Sequence, residues 1–307
     1  MQKPSNSDTE AAALSAEPQG DYRKGIFFIL LSSLGFSLMS FFIRLSGDLP
    51  VMEKAFFRNA LAGVVAFILL RRSGTPFKIG KGNRIPMLLR CSFGTAGLLC
   101  NFWAISRLNI ADANMLNKMS PFFAILMSVF VLGEKPSRFE ILSIFIAMTG
   151  AAFVVKPGAG LASLPAFIGL LGGFGAGTAY TFLRKMGRNG VAGPVIVFCF
   201  SAFSCLICLP YLIFFYHPMQ TWQLIDLILA GLSAAGAQLA ITQAYTCAPA
   251  RVISVFDYTQ VLFAALLGFF FLHELPDALS FLGYFLIIGI AALRWYLAVK
   301  KRSCQVS

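Results

Sequence analysis

The sequence predicts an all-α integral membrane protein: ten transmembrane helices arranged as a five-plus-five inverted repeat. Three observations carry this prediction. First, 58% of the 307 residues are hydrophobic and only 12% are charged, against roughly 45–50% and about 25% in a soluble chain. That leaves too little polar surface to cover a soluble globule, and excludes disorder, a coiled coil, a collagen-like rod and an ordinary cytosolic enzyme. Second, ten apolar runs approach or exceed the about 20 residues that a helix needs to cross a bilayer: 25–43, 52–70, 85–106, 112–132, 137–155, 163–183, 193–215, 223–245, 252–272 and 278–298. Third, the chain resembles itself after a shift of 140 residues.

Residues 1–22 form a polar tail with Asp8, Glu10 and Glu17 and lack the basic-then-apolar layout of a signal peptide, so the first apolar run is read as a retained helix. The second and third runs contain Arg58 and Arg90, and the loop between them, 71–84, is the longest connection and carries Arg71, Arg72, Lys78, Lys81 and Arg84. The fourth contains Asn117 and Lys118 just before Pro121, which frees backbone carbonyls near residue 117 and kinks the helix. The sixth carries Gly169, Gly173 and Gly177, four apart, a face for close helix packing and not a nucleotide fingerprint, since no strand precedes it. In the seventh, Cys205 and Cys208 have C-x-x-C spacing without a histidine or acid nearby and read as apolar filler. The ninth contains Asp257, Tyr258 and Gln260. Lys300, Lys301 and Arg302 follow the tenth in a basic tail, 300–307, that reads as a stop after the last span.

The 25 Lys and Arg against 13 Asp and Glu give a formal charge of +12. With a cytoplasmic N-terminus, the inner segments hold Arg23, Lys24, the five basic residues of 71–84, Lys135, Arg138, Arg184, Lys185, Arg188, Arg251 and the C-terminal cluster. The outer segments hold only Arg44, Lys54, Arg107 and Lys156. This bias puts both termini in the cytoplasm, most simply at the plasma membrane. No inner loop is large enough to dock nucleic acid.

The shift of 140 places Phe27, Gly35, Arg44 and Gly47 on Phe167, Gly175, Arg184 and Gly187, and Ala104, Phe123, Glu134 and Pro136 on Ala244, Phe263, Glu274 and Pro276. The division is a first repeat at 23–156 and a second at 157–299. Five spans per half is an odd number, so the halves enter the membrane from opposite sides, as in secondary transporters that alternate access around a midplane site.

Asn117-Lys-Met-Ser-Pro121 through Gly133-Glu-Lys-Pro136, and Phe256-Asp-Tyr-Thr-Gln260 through His273-Glu-Leu-Pro276, together with Arg58-Asn-Ala-Leu-Ala-Gly63, resemble the drug/metabolite transporter superfamily in its EamA-type branch. The resemblance covers nearly everything after residue 20. It implies a ten-helix transporter with spans 1–4 and 6–9 around the cavity and spans 5 and 10 at the periphery.

Charges inside spans cost about 2.5–3.5 kcal/mol each and usually face a cavity or partner. Lys118 and Arg58 are candidate ligands for an anionic group, with Asn117 beside Lys118. Asp257 is a candidate counter-ion or proton site. Trp103, Tyr180, Tyr245, Tyr258 and Gln260 are candidate cavity residues, because their polar tips need partners in lipid. Arg44 makes the outer mouth basic, Arg90 reads as snorkelling to the inner face, and Glu134 and Glu274 read as helix starts. The expectation is a secondary transporter of a small polar metabolite bearing an anionic group, coupled to a proton or a counter-substrate, as a monomer or homodimer, without a cofactor. Export of amino acids or of cationic, lipophilic compounds, and a non-transporting scaffold derived from a transporter, are the alternatives. No P-loop, H-E-x-x-H or G-x-S-x-G is present, which speaks against ATP-driven pumping and enzymatic chemistry.

Overall fold

The computed structural model describes residues 22–74, 76–133, 136–156, 164–247 and 254–306. The expectations for the N-terminal tail, Glu134, Lys135 and Arg251 lie outside them. The helices are α1 (Tyr22–Leu45), α2 (Val51–Ser73), α3 (Arg84–Ile105), α4 (Ile110–Asn117), α5 (Ser120–Leu132), α6 (Arg138–Val155), α7 (Leu164–Arg188), α8 (Gly193–Phe215), α9 (Thr221–Cys247), α10 (Thr259–Leu272) and α11 (Ala278–Val306), with single 3₁₀ turns at Lys81–Asn83 and Ser254–Tyr258. Nine segments among the described residues are long and apolar enough to cross a membrane, with α4 and α5 counting as one. The tenth, α2, has 23 residues but carries Glu53, Lys54, Arg58, Arg71 and Arg72, which lower its hydropathy.

Local chemistry sets the helix ends. Ser137 accepts a hydrogen bond from Glu140 N–H while the Glu140 carboxylate accepts one from Ser137 N–H, a capping box that starts α6. Gly133 closes α5 in the left-handed region at φ 68°, and its repeat counterpart His273 closes α10 at φ 53° without glycine's freedom.

The packing obeys the repeat. α2 packs on α8 and α6 on α11, each on its own counterpart. α1 packs on α9 just as α3 packs on α7, and α10 on α1 just as α5 on α7. A pseudo-two-fold axis therefore relates the halves. Two close crossings coincide as well. A Cβ at Gly35 would sit 2.9 Å from Ala237 Cβ, and one at Gly175, its counterpart, 2.8 Å from Gly97 Cα. Gly97→Val is expected to destabilise by about 1–3 kcal/mol through overpacking at this crossing. Gly236→Ala, where a Cβ meets nothing within 4 Å, serves as the neutral control in the same thermal denaturation. Large side chains such as Phe130, Phe145, Phe214 and Phe285 stand exposed on the outside of the bundle, as a lipid-facing surface requires.

Candidate functional site

The site grows from two broken spans. Pro121 has no N–H to donate, so the helical ladder of the fourth span cannot continue past Asn117, and α4 and α5 are joined through Lys118 and Met119. The ninth span opens as the 3₁₀ turn Ser254–Tyr258 before α10 begins. These breaks are repeat counterparts, and they meet. Lys118 Nζ lies 2.5 Å from Asp257 Oδ2, with the two side chains 13% and 22% exposed. Ser33 on α1 donates toward Asp257, sharing its hydroxyl between the backbone carbonyl at 3.3 Å and Oδ1 at 3.4 Å. Tyr258 donates to the Lys118 carbonyl at 3.3 Å. Asn117, next to Lys118 in the chain, and Tyr258 thus stand beside the pair.

A buried polar seam runs next to this pair. Ser37 donates to the Gln260 carbonyl at 2.7 Å, Gln260 Nε2 to Asn114 Oδ1 at 2.6 Å, and Ser40 to the same oxygen at 3.1 Å. Gln260 is 7% exposed. In this structure its amide nitrogen is engaged with Asn114, and the seam as a whole ties α1, α4 and α10 together. On the other half the same places are glycines. Gly173 and Gly177, counterparts of Ser33 and Ser37, press directly on the backbone of Leu116 and Ser120. At these two places one half grips its broken span by hydrogen bonds and the other by bare contact, and α7 bonds α5 only further along, from Thr181 to the Ala124 carbonyl at 3.2 Å and from Lys185 to the Val131 carbonyl at 3.3 Å.

Arg58, Arg90 and Tyr180 form a second group. Arg58 Nη1 donates to Asn59 Oδ1 at 2.7 Å, while its Nε is buried without a partner. Arg90, expected to snorkel, is instead 8% exposed with its guanidinium carbon 4.7 Å from the Phe200 ring centre and 5.9 Å from that of Tyr180. Counting residues along a helix gives depth but not azimuth, and azimuth turns Arg90 inward. Two other candidates are not brought here. Trp103 lies under Arg107 at the far end of α3, 4.7 Å from its guanidinium carbon, and the side chain of Tyr245 lies outside the described residues. Cys205 and Cys208 sit against the Phe56 carbonyl and Met52, in keeping with packing. A shallow groove of about 250 Å³ on the flank of α3 and α8, lined by Met87, Leu88, Cys91 and Phe203, is separate from these charges.

A latch closes the end of the bundle where α1 stops. Arg44 reaches Glu274 Oε1 through Nε at 3.1 Å and Nη2 at 2.8 Å, and donates through Nη1 to the Ser106 carbonyl at 2.5 Å. Glu274 Oε2 accepts the Ile110 N–H at 3.0 Å. Two expectations change. Arg44 is neutralised by Glu274 and adds no free positive charge to the mouth. Glu274 does meet the positive end of a helix, but that helix is α4 and not the following α11. Its partner lies 230 residues away, beyond any local signal. Lys54, fully buried on the same face, donates to the carbonyls of Ile43 and Gly47 and to Ser106 Oγ at 2.7–3.1 Å. Lys54→Met is expected to leave these acceptors empty and to destabilise by about 1–3 kcal/mol, read as a lower Tm in detergent.

Just outside α11, Lys156 lies 2.7 Å from Asp277. The Lys156 ammonium and the Ser280 N–H hold the Asp277 carboxyl below its ordinary value. The stability from this contact is complete above the ordinary carboxylate value and fades as pH falls through the lower native one. Asp277→Asn is therefore expected to melt slightly below the wild type at pH 7 and to converge with it as the pH falls below the lowered native value. The gap is small, because the carboxylate is half exposed.

The comparisons agree with this architecture. The model of the EamA-like transporter family matches residues 23–156 and again 163–295. The chain is 32% identical to the pseudopaline exporter CntI of Pseudomonas aeruginosa over 270 residues, covering 87% of this chain and 94% of that protein. It is 26% identical to human solute carrier family 35 member G1, covering 90% and 81%, and 23% identical to the riboflavin transporter of Vibrio cholerae, covering 92% and 97%. A solved crystal structure superposes with a TM-score of 0.66 at 15% identity over 91% of this chain and 99% of that one, which establishes the fold. Two family matches fall on the two halves of an inverted ten-span bundle, and a third of the residues are shared with a transporter over nearly its full length. The protein is a multi-pass membrane transporter and not an enzyme, and it belongs to the EamA-like transporter family within the drug/metabolite transporter superfamily.

Proposed function

We propose that the protein is a secondary transporter that moves a small polar metabolite bearing an anionic group by alternating access, with both termini in the cytoplasm of a plasma membrane. The single observation that carries this reading is the Lys118–Asp257 pair, held where the broken spans of the two repeats meet. A paired lysine and aspartate are together neutral, which suits an empty site in lipid. An anionic substrate group competes with Asp257 for Lys118, and Asp257 then takes up a proton or yields to a counter-substrate. Coupling of this kind needs no ATP. A carrier of lipophilic cations calls for a carboxylate without a cationic partner, and Asp257 has Lys118. Relatives named for exporting pseudopaline and transporting riboflavin support a small organic cargo.

The latch at Arg44 and Glu274 supports closure on one face, which the charge bias assigns to the outside. Counterflow of a labelled substrate in proteoliposomes, after a thermal-shift screen of anionic metabolites, tests the reading. Flux is expected to respond to an imposed pH gradient in the wild type. Unchanged counterflow in Lys118→Ala overturns the role of the pair. A C-terminal fluorescent-protein fusion that matures only in the cytoplasm tests the orientation.

A further inference from the structure

Arg58 and Arg90 pose a charge problem that the Lys118–Asp257 pair does not solve. Arg58 lies within α2 and is half-buried, Arg90 lies within α3 and is buried, and each has a buried Nε with no partner. The ionisable groups that act on Arg58 are Tyr180, Arg90 and Cys205, and those that act on Arg90 are Tyr180 and Cys91. None of these is a carboxylate. Two guanidiniums therefore stand within electrostatic reach of each other without a counter-charge among the described residues. Leaving buried charges unpaired is among the costlier arrangements a protein can hold, and planar five-donor guanidiniums are the side chains best shaped to grip a carboxylate or phosphate.

The surroundings are shaped for the arginines. Gly94, one helical turn along α3 from Arg90, lacks the Cβ that would collide with Arg90 Nη1 and come within 2.9 Å of Phe200 Cε2. Phe200 and Tyr180 flank the Arg90 guanidinium, and Asn59, itself tied to Ser204 Oγ at 2.8 Å, orients Arg58 through Nη1. Tyr180 is half exposed, so the group is not sealed within protein.

We infer that Arg58, Arg90 and Tyr180 form an anion-binding subsite for a doubly charged group, a dicarboxylate or a phosphomonoester-like dianion. A monoanion would leave one of the two buried positive charges uncompensated, and a dianion cancels both. The inference rests on the transporter reading for its purpose, since a substrate with its acidic groups here completes the charge balance of the loaded bundle. It stands apart from that reading in its chemistry, because Lys118 and Asp257 already neutralise each other.

The test uses the full chain in detergent or nanodiscs. Tm is followed against succinate, inorganic phosphate and acetate at equal ionic strength, in the wild type and in Arg90→Gln, Arg58→Gln and Arg90→Lys. A dianion at about 100 times its Kd is expected to raise the wild-type Tm by about 5 °C or more, with acetate giving a smaller shift. Succinate acting alone identifies a dicarboxylate subsite, and phosphate acting alone a phosphate subsite. Either glutamine variant is expected to lose the shift, and Arg90→Lys to keep part of it. Without anion, Arg90→Gln is expected to melt no lower than the wild type, because it removes an unpaired charge, and this separates lost binding from lost folding. An equal dianion shift in the wild type and Arg90→Gln overturns the subsite, as does the absence of any shift with succinate and phosphate. Neither result depends on flux, so failure here is distinguishable from unchanged counterflow in Lys118→Ala.

Discussion

Lys118→Ala and Asp257→Asn are each expected to cut substrate flux by at least about tenfold, equivalent to about 1.4 kcal/mol or more of lost transition-state stabilisation. The two differ in kind. On the reading proposed above, Lys118→Ala removes the cation that would receive the anionic group and, among the described residues, leaves Asp257 the Ser33 hydroxyl as its side-chain partner, so both binding and turnover are expected to fall. Asp257→Asn leaves Lys118 charged and unopposed, so a substrate anion binds as well or better while release becomes slow. Counterflow, which needs no net proton movement, is expected to survive better than gradient-driven uptake in Asp257→Asn, and its dependence on pH to flatten. The exchange Lys118→Asp with Asp257→Lys is expected to regain Tm but not flux, because it restores the pair and reverses the geometry toward the substrate. A partly exposed pair of this kind is worth about 1–3 kcal/mol to stability, so the single variants should still fold. Full flux in both single variants would show that the pair is only a structural brace.

Glu274→Gln gives the second large effect. It keeps the side chain's shape and one acceptor but removes the charge that Arg44 grips through two nitrogens. Weakening the closed face by about 1–2 kcal/mol shifts a two-state balance by about 5–30-fold. The shift is measurable with Ser37→Cys in a cysteine-free background, since Ser37 is fully buried beneath the latch. Labelling by a membrane-impermeant thiol reagent from the latch face is expected to speed up about tenfold in Glu274→Gln. Arg44→Lys is expected to behave similarly, because a lysine cannot reproduce the two-nitrogen grip and the third bond to Ser106 at once. A labelling rate that matches the parent in both variants would remove the latch from the transport cycle.

Much of the fold is legible in the sequence for physical reasons. Lipid forces long apolar runs, and a repeat with an odd number of spans forces inversion, so the ten spans and their pairing follow from periodicity and a single shift. The Lys118–Asp257 contact is legible for the same reason: positions 117 and 257 are counterparts, and symmetry brings counterpart breaks to the axis. Pro121 announces its break through the missing N–H. The glycines at 169, 173 and 177 announce close packing, and each presses on α4 or the residues around it. The errors share one cause. Depth can be counted along a helix, but the direction of a side chain around it depends on neighbours remote in sequence. Arg90 is turned inward where counting along the helix suggests snorkelling, the Gln260 amide meets Asn114 on a helix remote in sequence, and Glu274 meets the start of α4 and not that of the helix it precedes. Arg44 falls into the same group, since its neutralising carboxylate comes from the other repeat.

The substitution of two serines for two glycines between the halves has a mechanical consequence. Along α7, Gly173 and Gly177 offer the break between α4 and α5 a smooth bearing of non-directional dispersion contacts, and directional bonds to α5 come only further along, from Thr181 and Lys185. Along α1, Ser33 and Ser37 behave as teeth, since each hydrogen bond loses most of its strength once its donor is misaligned. In the alternating-access cycle proposed above, this asymmetry at the breaks is expected to favour rest with α1 engaged on α10, and the slower half-stroke is expected to be the one that lifts α1 off α10.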